Sequence, residues 1–138
     1  MPIRFFHEEV DYSVQTPSKL KAWIKAASKK EGFRVGNINY ILCSDSYLLQ
    51  MNIQYLKHKT LTDIITFDYS DDDQVSGDIF ISIERVADNA KKYSVSPDTE
   101  LKRVMIHGVL HLMGYSDKSK TKKAEMRKKE NEYLSLWK

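Results

Sequence analysis

The sequence predicts an α+β fold: a single domain, residues 1–138, in which a small mixed four-stranded sheet carries helices. Three observations support this prediction. The length of 138 residues suits one domain. The composition, 41% hydrophobic with 2 Trp, 8 Tyr and 5 Phe, is sufficient for a core. Strand and helix patterns interleave along the chain, but two of the strands are joined by a short polar segment typical of a hairpin turn.

Alternating hydrophobicity and β-branched content predict the four strands. They are expected at Ile3–His7, Asn37–Cys43, Thr62–Tyr69 and Asp78–Ile83. The segment SDDDQVSG, which separates the last two, predicts a turn. These two strands are therefore expected to be antiparallel neighbours.

Periodic apolar residues predict five helices in the remaining segments. They are expected at Pro17–Lys30, Asp45 to about Lys57, Glu84–Tyr93, Pro97–Met113 and Ser119–Leu136. The fourth has strong boundary signals: Ser96 as N-cap, Pro97 at the first helical position, and Gly114 as the stop. In the fifth, the residues expected to be buried are Ala124, Met126, Tyr133, Leu134 and Trp137.

The sequence also predicts a soluble, cytoplasmic protein. No segment approaches the roughly 20 apolar residues that span a bilayer, and the N-terminus lacks the long apolar core of a signal peptide. The single cysteine, Cys43, cannot form an internal disulfide and lies in the apolar run NINYILCS. We expect it to be a packed thiol in a reducing compartment.

The net charge of +3 is small, but it is unevenly distributed. Residues 118–138 contain eight basic and three acidic residues, or +5, so that the first 117 residues carry −2. Such a basic helix could attract a polyanion such as RNA. The alternative, a solvated helix face without a partner, is common for charge runs of this kind.

Two histidines carry the chemical signal of the chain. His107 and His111 are four residues apart, which places both imidazoles on one face of the fourth helix, within reach of one ion. The surrounding segment VMIHGVLHLMG is otherwise apolar, so the imidazoles need partners. A bound cation would be a partner to both. The alternative is two core histidines that are hydrogen-bonded to carbonyl groups.

The spacing is related to the zinc-protease pattern HExxH, in which a glutamate after the first histidine acts as general base. The corresponding residue here is Gly108, which argues against a metallopeptidase. A glycine at this position is also expected to leave space beside the ion for a bulky substrate group.

A third ligand is expected after the helix, because a stop at Gly114 lets the chain turn back. The candidate is Asp117, since a carboxylate is a usual zinc ligand and neither Ser116 nor Lys118 is one. Three protein ligands leave one position open for water, as in catalytic sites, and such water can become a nucleophile for a phosphodiester. Beyond this water, no catalytic group is predicted.

The run HGVLHLMGY, from His107 to Tyr115, resembles the motif HGxLHLxGYDH of the YbeY family of bacterial endoribonucleases over nine consecutive positions. Three upstream segments also resemble the family. They are Met51 and Asn52 with Tyr55 (family LNxxF), TDIITF at 62–67 (TDVLSF), and GDI at 77–79. The resemblance covers about residues 50–117 in the expected order.

The resemblance implies an α+β domain related to zincins, with a zinc ion on the fourth helix. It also implies a single-strand-specific endoribonuclease that acts in 3′ end maturation of small-subunit ribosomal RNA and in ribosome quality control. Ribosomal proteins or assembly GTPases are possible protein partners, and no membrane is involved. Asp63 and Asp78 match family positions, but we favour capping or hydrogen bonding within the sheet as their role.

This chain departs from the family in two respects. Asp117 stands where the family has its third histidine, and Leu56 stands where the family has an arginine. Lys57, His58 and Lys59, next to Leu56, are candidates to supply the missing charge to RNA, although such residues at a helix end are more often only solvated.

Two alternatives to an endoribonuclease stay open at this point. The first is a non-catalytic ribosome-assembly or RNA-binding factor with a structural metal, which Asp117 and Leu56 favour. The second is an oxygen-using iron enzyme, because two histidines and one carboxylate also form a facial triad.

Overall fold

The computed structural model describes residues 3–56 and 62–137. Its four strands form one sheet in the order β1-β2-β4-β3. The strands are β1 (Ile3–Glu8), β2 (Arg34–Cys43), β3 (Ile64–Asp68) and β4 (Gln74–Ser82). β1 and β4 both run parallel to β2, whereas β3 is antiparallel to β4. The predicted mixed sheet and the predicted antiparallel pair are confirmed.

The five predicted helices are present. They are α1 (Pro17–Lys30), α2 (Asp45–Met51), α3 (Ile83–Lys92), α4 (Pro97–Leu112) and α5 (Lys120–Ser135), and α2 continues into a π-helical turn at Asn52–Leu56. Four of them are preceded by an N-cap serine whose hydroxyl accepts a hydrogen bond from the amide three residues later. These serines are Ser44, Ser82, Ser96 and Ser119. The N-cap signal in the sequence therefore has its usual physical basis, the satisfaction of a free amide.

The bounds of β4 differ from the prediction. The strand begins at Gln74, inside the segment predicted as a turn, and Ile83 opens α3 instead of ending the strand. The turn itself is short, because the amide of Gln74 donates to the carbonyl of Asp71 at 2.7 Å. Val75 and Gly77 are buried while Ser76 and Gln74 are partly exposed, so the polar residues belong to the more open face of a strand.

The larger core lies between one face of the sheet and the helices α1, α4 and α5. Its largest fully buried side chains include Tyr40, Ile79, Met105 and Tyr133. The hydroxyl of Tyr40 donates to the carbonyl of Met105 at 3.1 Å, which ties β2 to α4. The indole of Trp23 donates to the carbonyl of Tyr133 at 2.7 Å, which ties α1 to α5. These contacts hold α4 between the sheet and α5.

A smaller core lies on the other face of the sheet. It consists of Cys43, Leu48 and Ile65, with Phe67 and Phe80 among the partly buried residues around them. Cys43 is fully buried, and this burial, together with nearby carboxylates, raises its pKa to about 12. The prediction of a packed thiol is confirmed.

The prediction for α5 was partly wrong. Met126 and Tyr133 are buried, Leu134 and Trp137 are partly buried, but Ala124 is exposed. Met126, Glu130 and Tyr133 lie four and three residues apart and form the buried face of the helix. This face is only one residue wide at each turn, so Ala124 lies outside it. Within the described residues, no helix combines the length and the apolar character needed to cross a membrane.

Candidate metal centre

The helix α4 positions the two histidines. One face of α4 is in the core, with Met105, Val109 and Leu112 buried, while His107 and His111 are partly exposed on the adjacent face. The two imidazoles point toward one another: their Nε2 atoms are 2.9 Å apart, and the ring centroids are 4.5 Å apart. The spacing of four residues therefore produces the predicted convergence.

The third predicted ligand, Asp117, also reaches this point. Gly114 adopts a left-handed conformation with φ of +103°, and the amide of Tyr115 donates back to the carbonyl of Leu110 at 3.0 Å. This glycine-ended helix turns the chain back on itself. The Oδ2 atom of Asp117 is consequently 3.6 Å from Nε2 of His107 and 3.8 Å from Nε2 of His111. All three candidate ligand atoms lie within 4.8 Å of one another.

The residues fit a divalent metal ion. Tetrahedral zinc with ligands at about 2.0–2.1 Å places neighbouring ligand atoms about 3.3 Å apart. The observed separations of 2.9, 3.6 and 3.8 Å bracket this value, so that small side-chain rotations would complete the coordination. The hydroxyl of Ser116 accepts a hydrogen bond from the backbone amide of Lys118 at 3.1 Å, within the loop itself. Two imidazoles and one carboxylate could hold a metal ion and leave one position open.

Glu130 is a site residue that the sequence reasoning missed. It lies on α5, and its Oε2 atom is 2.6 Å from Nδ1 of His107. Its other oxygen accepts a hydrogen bond from Arg103 at 3.0 Å. Glu130 is 4% exposed, which is rare for a glutamate unless it is paired. One sequence signal could have indicated that Glu130 is buried. It lies four residues after Met126 and three before Tyr133, and therefore on the same face of α5 as these two apolar residues.

The Glu130 carboxylate determines the state of His107. In the neutral imidazole, a hydrogen bond from Nδ1–H of His107 to Glu130 leaves Nε2 without a hydrogen, as a metal ligand must be. Burial works against protonation of His107, but the hydrogen bond and charge of Glu130 outweigh it and raise the pKa of this imidazole. Burial and the neighbouring His107 lower the pKa of His111. Burial also opposes ionisation of Glu130, yet His107 and Arg103 lower its pKa.

The histidines open into a cleft of about 340 Å³ between α3, α4, α5 and the start of β3. Asp63 lines this cleft, and burial raises the pKa of its carboxyl group. Asp63 therefore lies beside the candidate metal site, while its carboxylate also accepts a local backbone hydrogen bond, which agrees with the expected capping role. Asp78, by contrast, does bond within the sheet: its Oδ1 accepts from the Asn39 amide at 3.0 Å.

Gly108 does not leave space beside the metal site, and that interpretation is wrong. The glycine is buried against the sheet, where a Cβ atom would lie 2.9 Å from a methyl group of Ile79 and 3.0 Å from one of Ile64. The missing side chain lets α4 approach the sheet closely. A glutamate at this position would therefore meet the sheet, so the catalytic base of the HExxH proteases has no counterpart here.

The residues that we considered for RNA contact, Lys57, His58 and Lys59, lie outside the described residues. Leu56, which stands where the resemblance places an arginine, is 44% exposed at the end of the π-helical turn.

A second cluster anchors the loop that carries Asp117. The carboxylate of Glu31, at the end of α1, accepts hydrogen bonds from the hydroxyls of Tyr115 and Tyr133 and from Lys129. Tyr115 is two residues before Asp117, so this cluster ties the loop to α1 and α5. Burial opposes ionisation of Glu31, but the three hydrogen bonds outweigh it and lower its pKa.

We expect Glu31→Gln to destabilise the protein at neutral pH by about 1–3 kcal/mol, because charge-assisted hydrogen bonds are lost. A lowered pKa in the folded state means that this contribution is present above the unfolded-state value of about 4.3 and is lost as the pH falls through the folded-state value. The difference in free energy of unfolding between the wild type and Glu31→Gln should therefore become smaller at acidic pH. Urea unfolding between pH 3 and 7 measures this difference, with a substitution of the exposed Glu125, Glu125→Gln, as control. A difference independent of pH would contradict the assignment.

The fold and the site together define a class: small α+β proteins in which two histidines of a helix and a carboxylate after it could hold a metal ion in an open cleft. The sequence model of the family described as Endoribonuclease YbeY matches residues 4–138 of this chain. The chain therefore belongs to the endoribonuclease YbeY family.

Similar proteins agree with this assignment. The Endoribonuclease YbeY of Flavobacterium psychrophilum is 50% identical over 132 residues, covering 96% of this chain and 94% of the relative. That of Cytophaga hutchinsonii is 47% identical over 135 residues, covering 97% and 94%. The solution structure of TM1509 from Thermotoga maritima is similar with a TM-score of 0.67 and 31% identity, covering 96% of this chain and 87% of that one. The predicted family and fold class are confirmed.

Proposed function

We propose that residues 1–138 form one metal-dependent endoribonuclease domain that hydrolyses phosphodiester bonds in RNA. The observation that carries this proposal is the convergence of His107, His111 and Asp117 in an open cleft. It is supported by the membership in a family whose relatives are described as endoribonucleases. We further propose zinc as the ion, because imidazole and carboxylate ligands at tetrahedral separations suit it.

The residues of the site have separable roles in this proposal. His107, His111 and Asp117 hold the ion, which when bound supplies a Lewis acid that activates water and polarises a phosphoryl oxygen. Glu130 fixes the ring orientation and tautomer of His107. Asp63, whose pKa is raised by burial, is a candidate to hold or release a proton in the cleft.

The biological setting is also part of the proposal and rests on the family alone. We propose ribosomal RNA as the substrate, with single-strand specificity and a role in 3′ end maturation of the small-subunit RNA and in ribosome quality control. A cytoplasmic location and contacts with ribosomal proteins or assembly GTPases belong to the same proposal.

The test is cleavage of RNA by the purified protein. We expect cleavage to stop after chelation, to return when a divalent ion is added back, and to be insensitive to inhibitors of ordinary ribonucleases. The competing function is a non-catalytic assembly factor with a structural metal, favoured by the exposed Leu56 where the family has an arginine. Stoichiometric metal together with RNA binding but no cleavage would support that competitor.

Asp117 gives a more specific prediction about the ligand set. We expect Asp117→Ala to weaken metal affinity more than about a hundredfold, because only two ligands remain, and Asp117→His to retain the metal, because an imidazole is also a usual zinc ligand. Competition with a chromophoric chelator measures both. Ser116→Ala is the control, since this residue only accepts a backbone hydrogen bond. Full metal affinity in Asp117→Ala would show that another residue is the ligand.

A further inference from the structure

The cleft is also lined by side chains that the metal site does not use. They include Arg127 from α5 and Tyr93 from the end of α3. Both line the same cleft as His107 and His111. Both are more than half exposed: the side chain of Arg127 is 59% exposed, and Tyr93 is 55% exposed. A substrate bound in this cleft would therefore have both side chains within the same cavity.

Arg127 is available to bind an anion. Its nearest acidic partner is Glu130, but the Nε atom of Arg127 is 3.9 Å from Oε1 of that carboxylate, beyond hydrogen-bond distance. The same oxygen accepts a hydrogen bond from Arg103 at 3.0 Å, and Arg103 also donates to Asn131. Arg103 is thus engaged in the structure, while Arg127 keeps its planar donor groups for a ligand. Such groups match a phosphate in bidentate fashion.

Arg127 also stands apart from the other basic residues of the C-terminal segment. Among the described residues 118–137, it is the only basic one that lines this cleft. Lys122 lines a different cleft, and Lys129 pairs with Glu31 at 3.0 Å. The basic character of α5 is therefore not a uniform RNA surface. One of its cationic side chains lines the cleft of the candidate metal site, and most of the others are exposed to solvent. The exposed ones agree with the alternative interpretation of the basic run as a solvated helix face.

Tyr93 presents an aromatic ring to the cleft. It caps the C-terminal end of α3, and its only described ring contact is Lys92, whose Nζ atom is 5.5 Å from the ring centroid. The ring is not packed into the core. An exposed aromatic side chain and a cationic side chain in the same cleft suit an unpaired nucleotide, because the base can stack while the phosphate is neutralised.

We propose that Arg127 and Tyr93 form a nucleotide subsite beside the metal centre, in which Arg127 binds a backbone phosphate and Tyr93 stacks on the base of one unpaired nucleotide. This inference rests on the proposed endoribonuclease function and extends it to the substrate. Stacking accepts any base, so the subsite selects for an unpaired strand and not for a sequence. A duplex cannot offer a base to Tyr93 without being opened.

The test measures binding of a single-stranded RNA oligonucleotide to the full chain by fluorescence anisotropy, with chelator present so that no cleavage occurs. We expect Tyr93→Ala to weaken binding about 5- to 150-fold, the range for loss of one stacked base, and Tyr93→Phe to bind like the wild type. We expect Arg127→Gln to weaken binding and to reduce the slope of log affinity against log salt by about 0.7, the value for one phosphate contact on a single strand. Tyr93→Ala should leave that slope unchanged.

Two matched controls separate this subsite from general surface effects. Lys128→Gln removes an exposed charge from the neighbouring position of α5, and Tyr69→Ala removes an exposed aromatic residue from the cleft beside Phe67 and Phe80. Both should bind RNA like the wild type. Equal losses in Lys128→Gln and Arg127→Gln, or in Tyr69→Ala and Tyr93→Ala, would overturn the subsite.

The outcome for the subsite is distinguishable from that for the proposed function. If Tyr93→Ala and Arg127→Gln bind RNA like the wild type, and the wild type cleaves RNA with metal, the subsite is wrong and the function stands. If the wild type neither binds nor cleaves RNA, both are wrong.

Discussion

Replacement of His107 or His111 by alanine is expected to abolish stoichiometric metal binding and to lower RNA cleavage at least a hundredfold. Each imidazole offers its Nε2 atom to the same point, and only one imidazole and Asp117 would remain. Even residues that contact a metal only through a ligand change metal affinity 10–100-fold when they are replaced, so loss of a ligand itself should cost more. Metal analysis of the purified variants and cleavage of a labelled RNA measure the two effects.

The control for this prediction is His7→Ala. His7 is exposed on β1 and lies outside the metal cleft, so its replacement should leave both metal content and cleavage unchanged. Because His107 and His111 are partly exposed, the alanine variants should also fold, which circular dichroism can verify. Normal cleavage by a folded His107→Ala or His111→Ala protein that contains no metal would refute a metal-dependent reaction at this site.

The second large effect is expected at Glu130. We expect Glu130→Gln to weaken metal affinity 10–100-fold, because a neutral amide no longer fixes the charge and tautomer of His107. Glu130→Ala should in addition destabilise the fold by about 1.5–3 kcal/mol, because Arg103 loses a charge-assisted hydrogen bond and keeps, among the described residues, only Asn131 as a hydrogen-bond partner. Chelator competition measures the first effect, and urea unfolding of metal-free protein measures the second.

Glu132→Gln is the matched control on the same helix. Glu132 forms surface ion pairs with Lys30 and Lys129, and exposed pairs contribute only about 0–1 kcal/mol. Its metal affinity should equal that of the wild type. If Glu130→Gln binds metal as tightly as Glu132→Gln does, Glu130 does not position His107.

Local sequence signals predicted most of the elements, because these signals act over a few residues. The serine N-caps, the proline at the start of α4 and the glycine at its end each satisfy or break backbone hydrogen bonds within one turn. The start of β4 was wrong for a related reason. Gln74 and Ser76 are residue types that are common in turns. Only the pairing of β4 with β2 places them on the more open face of a sheet.

The sequence by itself determined the core of the site. A spacing of four residues on a helix and a glycine stop three residues before Asp117 are local features, and they direct these three side chains toward one point. The family motif strengthened the same inference, because it covers the same residues.

Only the tertiary structure decided what surrounds that core. Glu130 comes from α5, Tyr93 from α3 and Asp63 from the segment before β3, and the packing of helices against the sheet places all three beside α4. No periodicity or spacing connects residues so far apart in the chain. The same packing buries Gly108 against Ile79. The sequence suggested that this glycine leaves space beside the metal ion, but in the structure it lets the helix approach the sheet closely.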